Sequence, residues 1–213
     1  MIALYIDTTS NYLYSALSID NKITGEIKEK LDKDLSVFTL DKIRIMLENS
    51  NLEPKNIEKI IVVNGPGSFT GVRIGVTIAK TWALSLNTKI SVTSSLKSMA
   101  LSSEVASDYK VPIIDARRGF VYAGIYDNNG IPVLNDKYIS LEALKCAIEN
   151  LPGSYSVITN NDIDIDNIEL YNPNFSNIFK NNINNEELIP HAVNPVYLKQ
   201  TEAEEKERIE LIW

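Results

Sequence analysis

The stretch Asn64-Gly65-Pro66-Gly67-Ser68-Phe69-Thr70-Gly71-Val72-Arg73-Ile74-Gly75 limits the fold of this chain more than any other. A short β-branched run, Ile60-Ile61-Val62-Val63, precedes it, and a mostly apolar run over residues 72–86 follows. A buried strand, a glycine-rich turn and a helix in that order form a unit able to hold an anion at the helix N-terminus. Gly65 and Gly67 can take positive φ, Pro66 fixes its own φ, and Ser68 or Thr70 can cap the first free amides.

The helix predicted over residues 70–86 carries Val72, Val76, Ala79, Ala83 and Leu86 on one face, yet Ile74, Ile78 and Trp82 lie off it. A helix apolar nearly all round is buried on more than one side. Gly71, Gly75 and Ala79 recur every four residues, so another backbone can approach closely there. Two readings stand side by side: packing on the chain's own sheet, or a sandwich between that sheet and a partner.

Around this unit the element order is readable. Ile2-Ala3-Leu4-Tyr5-Ile6 reads as a central strand, ending at the polar turn Asp7-Thr8-Thr9-Ser10. Strands follow at residues 12–19 and 23–28. Asp34 is a plausible N-cap for a helix to residue 49, with Val37, Leu40, Ile43, Met46 and Leu47 at spacings of three to four. After the residue 60–63 strand and the second helix come a strand at 89–93 and a helix from Ser94 or Ser95 to about residue 106. The second half starts with strands at 111–114, ending on Asp115, and at 120–126. The turn Asn128-Asn129-Gly130 leads into a third at 131–134, extended to 139. Ser140 caps a helix over 141–150, and a strand follows at 155–159. The order strand-strand-strand-helix-strand thus occurs twice, about one hundred residues apart, which points to duplication. Residues 160–185, dense in asparagine, read as loop with at most short strands or turns. Residues 202–207 read as an acidic, solvated terminal stretch.

Charge and composition exclude several functions. Asp and Glu number 28 against 21 Lys and Arg, a formal net charge of −7. Autonomous nucleic-acid binding ordinarily needs a basic surface, because affinity comes largely from counterion release. One His and one Cys (Cys146) exclude the usual His/Cys zinc and iron sites and any intramolecular disulfide. The single Cys fits a reducing compartment, and neither a signal-peptide pattern nor a membrane-length apolar run is evident. Arg117 and Arg118 read as a solvated hairpin tip or as a contact for nucleotide or RNA at a composite site. Tyr5, Tyr12 and Tyr14 read as strand residues.

Five blocks carry a family resemblance: Ile6-Asp7-Thr8-Thr9, the stretch Gly65 to Gly75, Val92-Thr93-Ser94-Ser95-Leu96, Asp115-Ala116-Arg117-Arg118-Gly119-Phe120-Val121-Tyr122, and Pro195-Val196-Tyr197-Leu198. In this order they resemble the TsaB (YeaZ) family, the dimerisation subunit of the tRNA threonylcarbamoyladenosine machinery, over nearly the whole chain. The resemblance implies an α/β, two-lobed actin/hexokinase-like (ribonuclease H-like) fold, here with lobes over residues 1–106 and 107–213. It implies cytoplasmic location and a non-catalytic role beside TsaD, the catalytic paralogue, with the ATPase TsaE joining the pair. Contact with tRNA is then indirect, through the complex, and a homodimer forms when the chain is alone. TsaD-type chains carry two metal-binding histidines at positions matching Ser95 and Met99 here, neither a substitute ligand for a hard metal. The family's usual His-Ser pair at the start of the first helix is Leu35-Ser36 in this chain.

Two functions follow from these observations. The first is a partner subunit whose interface is built from Val37, Leu40, Ile43 and Leu47 of the first helix with Gly71, Val72, Gly75, Val76, Ala79 and Ala83 of the second, meeting the same pair on TsaD as a four-helix bundle. The second is an ATP-dependent phosphotransferase or ATPase, with Asp7 and Asp115 ending the first strand of each lobe and facing a magnesium-bound phosphate. A vestigial or composite nucleotide site would then comprise Asp7, Thr8, Gly65, Gly67, Ser68 and Asp115. No cofactor is expected to bind tightly, and ATP or ADP with magnesium is expected only at a composite site with partners.

Overall fold

The N-terminal apolar run forms β1 (Ile2–Asp7), buried along nearly its whole length, as a strand with neighbours on both sides must be. In this computed structural model, which describes residues 1–199, β1 pairs antiparallel with β2 (Tyr12–Ile19), which pairs antiparallel with β3 (Lys22–Lys30). On its other side β1 pairs parallel with β4 (Lys59–Val63), and β4 with β5 (Lys89–Thr93). The second sheet repeats the path. Its central strand β6 (Tyr109–Asp115) pairs antiparallel with β7 (Phe120–Asp127), which pairs with β8 (Pro132–Ser140). β6 also pairs parallel with β9 (Tyr155–Thr159), and β9 with β10 (Ile168–Leu170). The orders β3-β2-β1-β4-β5 and β8-β7-β6-β9-β10 are equivalent, so the duplication expected from the element order is present in the topology.

Among the described residues five α-helices cover the sheets: α1 (Leu35–Asn49), α2 (Phe69–Leu86), α3 (Ser95–Ser102), α4 (Leu141–Glu149) and α5 (Phe175–Asn182). Ile43 and Leu47 of α1 and Val72, Val76 and Ala79 of α2 join Leu4, Ile6, Ile60 and Val62 in one core. Leu144 and Ile148 of α4 cover the corresponding face of the second sheet. The remaining two helices cross over. α3 follows the first sheet, yet Leu96, Met99 and Ala100 pack with Tyr126 and Ile158 of the second. α5 follows the second sheet, yet Phe175, Ile178 and Phe179 pack with Ala3, Tyr5, Tyr14 and Val63 of the first. A boundary at residue 106 therefore separates the two sheets but not the two cores.

Two expectations need correction. The helix after Ser94 stops at Ser102, because Ser103 is extended and the Glu169 carboxylate accepts from the Ser103 hydroxyl and the Glu104 amide. The asparagine-dense segment 160–185 is not only loop, since it contains β10 and all of α5. Asn174 caps α5 by accepting from the Asn177 amide, and Phe175, Ile178, Phe179 and Asn182 form its buried face. No helix in the second half corresponds to α2 among the described residues, since β9 and β10 are joined by irregular chain. The acidic stretch 202–207 lies outside the described residues.

Candidate functional site

Between the sheets opens a cleft of about 1330 Å³, with Asp7, Gly67, Ser68 and Ser95 contributed by the first half and Asp115, Arg117 and Tyr122 by the second. Duplication explains the placement of the two aspartates, since each ends the central strand of its sheet. Their surroundings differ. Asp7 is 3% exposed, and its Oδ1 accepts from the Thr9 amide at 2.8 Å and the Thr9 hydroxyl at 2.7 Å. Burial raises its pKa above the ordinary carboxylate value, and the Thr9 hydrogen bonds oppose that rise. Asp115 is exposed and accepts from the Arg117 amide, while its own amide donates to Asn161 Oδ1. Near Asp7 lie Tyr5 and Tyr171, with phenols fully buried and pushed well up by desolvation. Neither hydroxyl has a hydrogen-bond partner among the described residues, nor does the buried Ser98 Oγ. Buried neutral hydroxyls thus lie beside one desolvated carboxyl beneath the cleft, whose lining also includes Lys28, Lys30, Lys33 and Arg117.

The glycine-rich loop has the predicted strand-turn-helix form, and Ser68 caps α2 by accepting from the Gly71 amide. Its glycines, however, admit the chain's own backbone. Gly65 has φ +118, and a Cβ there would stand 2.5 Å from the Val196 carbonyl oxygen. Val196 in turn donates its amide to the Asn64 carbonyl at 2.7 Å. The first turn of α2 grips the same C-terminal segment. Arg73 lies 3.7 Å over the Phe69 ring, and its Nε donates to the Tyr197 hydroxyl at 2.9 Å. Residues 194–197 pack against Gly65 on one side and the Thr8–Thr9 turn against Gly67 and Gly71 on the other, while Gly67, Ser68, Thr70 and Gly71 still border the cleft. Asp7, Gly67, Ser68 and Asp115 line the cleft, whereas Thr8 and Gly65 are used in packing.

The small-residue stripe of α2 is likewise internal. A Cβ on Gly71 would meet the Thr8 carbonyl oxygen at 2.0 Å, and one on Gly75 would meet Thr8 Oγ1 at 2.6 Å. Gly71, Val72, Gly75, Val76, Ala79 and Ala83 are all buried within this chain, as are Ile43 and Leu47 of α1. The close backbone approach is therefore made by the turn after β1, and these side chains are not on the surface of the chain by itself. Val37 and Leu40 are different, at 65% and 54% exposed. Elsewhere on the two helices Ile45 of α1 and Leu84 of α2 are also exposed, while Ile74 and Ile78 are half-buried. Asp41, Arg44 and Glu48 form an ion-paired ridge along the outer side of α1.

The positions matched to metal-binding histidines serve packing. Ser95 Oγ donates to the Pro66 carbonyl, and Met99 is buried against α3's hydrophobic neighbours. An alcohol already committed to a carbonyl and a thioether do not fit a hard-metal site. His191 lies in a 3-10 turn, Pro190–Ala192, and is exposed. No described helix is long and apolar enough to cross a membrane. The Arg73–Tyr197 clasp and the buried hydroxyls are site features that the sequence reading did not single out.

A family model described as TsaD, tRNA N6-adenosine threonylcarbamoyltransferase, matches residues 8–179. The chain is 42% identical over 132 residues to the tRNA threonylcarbamoyladenosine biosynthesis protein TsaB of Bacillus subtilis (strain 168), covering 62% of this chain and 58% of that protein. It is 33% identical over 135 residues to the TsaB protein of Escherichia coli (strain K12), covering 62% and 58%. The matched segment thus spans less than two thirds of each of these relatives. The structure of YeaZ from Pseudomonas aeruginosa superimposes with a TM-score of 0.78 at 21% identity, covering 92% of this chain and 99% of that one, a likeness of fold.

Proposed function

The chain belongs to the TsaB (YeaZ) branch of the family described by the threonylcarbamoyltransferase model, and from that premise we propose that it is a non-catalytic partner subunit in tRNA threonylcarbamoyladenosine biosynthesis. The observation that carries the reading is the uncovered apolar surface on α1. Val37 and Leu40, at 65% and 54% exposure, project from α1, whose other face is already in the core. Large apolar side chains left exposed along one helix are what a helix-pairing partner covers. In this reading the partner is a TsaD-type transferase, which presents its equivalent helices. The interface is formed by the exposed residues, while Ile43, Leu47, Val72, Val76, Ala79, Ala83 and the two glycines hold α1 and α2 in place beneath it.

The same reading includes a ternary complex with TsaE, a homodimer through the same face when TsaD is absent, and cytoplasmic location. ATP or ADP with magnesium would bind only at a site shared between subunits. An independent phosphotransferase is the weaker reading, because among the described residues the second half has no loop-helix unit corresponding to the glycine loop and α2.

Co-purification tests the interface. Val37→Arg and Leu40→Arg are expected to keep the wild-type thermal midpoint and to lose the TsaD-type partner. A complex retained by both variants would sink the proposed face. Reconstituted tRNA modification with and without this chain tests the function itself: equal activity without it would remove the reason for calling it a subunit.

A further inference from the structure

The hairpin joining β6 to β7 has an unusual backbone. Arg117, Arg118 and Gly119 all have positive φ, at 68°, 56° and 77°, and the Phe120 amide closes the turn on the Arg117 carbonyl at 3.1 Å. A turn with positive φ at both central residues selects Asn-Gly or Gly-Gly, because a Cβ is strained there. Two consecutive arginines occupy left-handed positions where asparagine would sit more easily. Both are exposed, and among the described residues neither guanidinium meets a carboxylate within ion-pair range. Strain kept in an exposed turn that lines a cleft points to a use for the side chains it displays.

The residue that follows is the exposed end of an aromatic column. Phe120 stacks on Tyr138 with centroids 4.7 Å apart and planes 10° from parallel, and Tyr122 tilts against Tyr138 at 5.8 Å. Lys199 Nζ stands 5.6 Å from the Tyr138 centroid. Phe120 is 37% exposed, so the column is open at its end beside the two arginines. A partly exposed flat ring next to guanidinium groups that meet no carboxylate among the described residues is complementary to a nucleobase with flanking phosphates.

We propose that this rim of the second lobe is a contact site for single-stranded RNA, with one base stacked on Phe120 and adjacent phosphates paired to Arg117 and Arg118. A strand is favoured over a free nucleotide because the rim is open and its charges are exposed. One stacking face and screened cations hold a mononucleotide poorly, whereas a strand sums several such contacts. The net charge of −7 opposes binding by the isolated chain, so the contact is weak and strongly salt-dependent, and adds to whatever a partner supplies. The geometry belongs to the second lobe alone and does not depend on the α1–α2 face.

The test is a titration of the full chain at low salt with single-stranded oligoadenylate, followed by aromatic and backbone NMR shifts and by fluorescence anisotropy. Shifts are expected at Phe120, Tyr138 and residues 117–119. Phe120→Ala is expected to weaken binding about tenfold, the size of one lost base stack. The double variant Arg117→Asn, Arg118→Asn is expected to weaken it at least as much while folding with equal or higher stability, since asparagine suits the turn. Absence of shifts at the rim, binding within twofold of wild type in the double variant, or AMP binding as tightly as the strand would each overturn the proposal.

Discussion

The Thr8 hydroxyl donates to the Gly71 carbonyl at 2.7 Å, and the Thr8 carbonyl oxygen lies where a Gly71 side chain would begin. These two contacts fix the turn after β1 against the first turn of α2, and with it the position of Asp7. The contact at Gly71 is with backbone, which cannot rotate away. Gly71→Ala is therefore expected to cost about 3 kcal/mol or more, at or above the top of the usual overpacking range, read by urea denaturation. Thr77→Ala, on the exposed side of the same helix, is expected to stay within about 0.5 kcal/mol of wild type.

Arg73 connects α2 to the C-terminal segment through the Phe69 ring and the Tyr197 hydroxyl. A double-mutant cycle of Arg73→Ala with Tyr197→Phe is expected to give a coupling of about 0.5–1 kcal/mol, as befits exposed groups. The sharper readout is local. The Val196 amide, which donates to Asn64, is expected to exchange with solvent faster in Arg73→Ala, while amides of β1 keep their protection. Unchanged exchange at Val196 would show that the clasp does not hold the segment.

The α5 helix makes its own prediction. Phe179 is buried with ring centroids 6.4 Å from Tyr5 in the other half's central strand. Phe179→Ala is expected to destabilise the whole chain by about 3–5 kcal/mol in a single cooperative transition, since it opens a cavity on the first sheet from an element of the second half. Two separate transitions, with only the second half affected, would mean that the halves are energetically independent.

What the sequence disclosed follows from the range of each interaction. Strand β1, the Ser68 cap, α2 and the Asn128-Asn129-Gly130 turn depend on neighbours a few positions away, and all were readable. The stripe of Gly71, Gly75 and Ala79 announced a close backbone approach but not whose backbone, and the answer, Thr8, lies 63 positions away. Arg73 and Tyr197, 124 positions apart, leave no local pattern at all. α5 was missed for a different reason. Its i, i+3, i+4 and i+7 face is present in Phe175, Ile178, Phe179 and Asn182, but it is set among so many asparagines that composition outweighed periodicity. In α1, the spacing of Val37 and Leu40 suggested the same face as Ile43 and Leu47, whereas the helix turns them outward.

Asp7 supplies a test in pH. Its pKa in the folded chain is raised from 3.8, chiefly by burial, so the folded state holds a proton that the unfolded state has already released. Between the two values the folded chain binds more protons, and stability falls as pH rises. Below the ordinary carboxylate range both states are protonated and this penalty vanishes, and it grows as pH rises toward the folded value. Asp7→Asn keeps an oxygen that can accept from the Thr9 amide and hydroxyl but carries no charge to desolvate. The variant is expected to be more stable than wild type at neutral pH, with the difference shrinking as pH is lowered toward 3.8, measured by denaturant melts across that range. A variant less stable than wild type at neutral pH, with a gap that narrows on acidification, would instead mean that the Asp7 carboxylate is stabilised as an anion by the cleft.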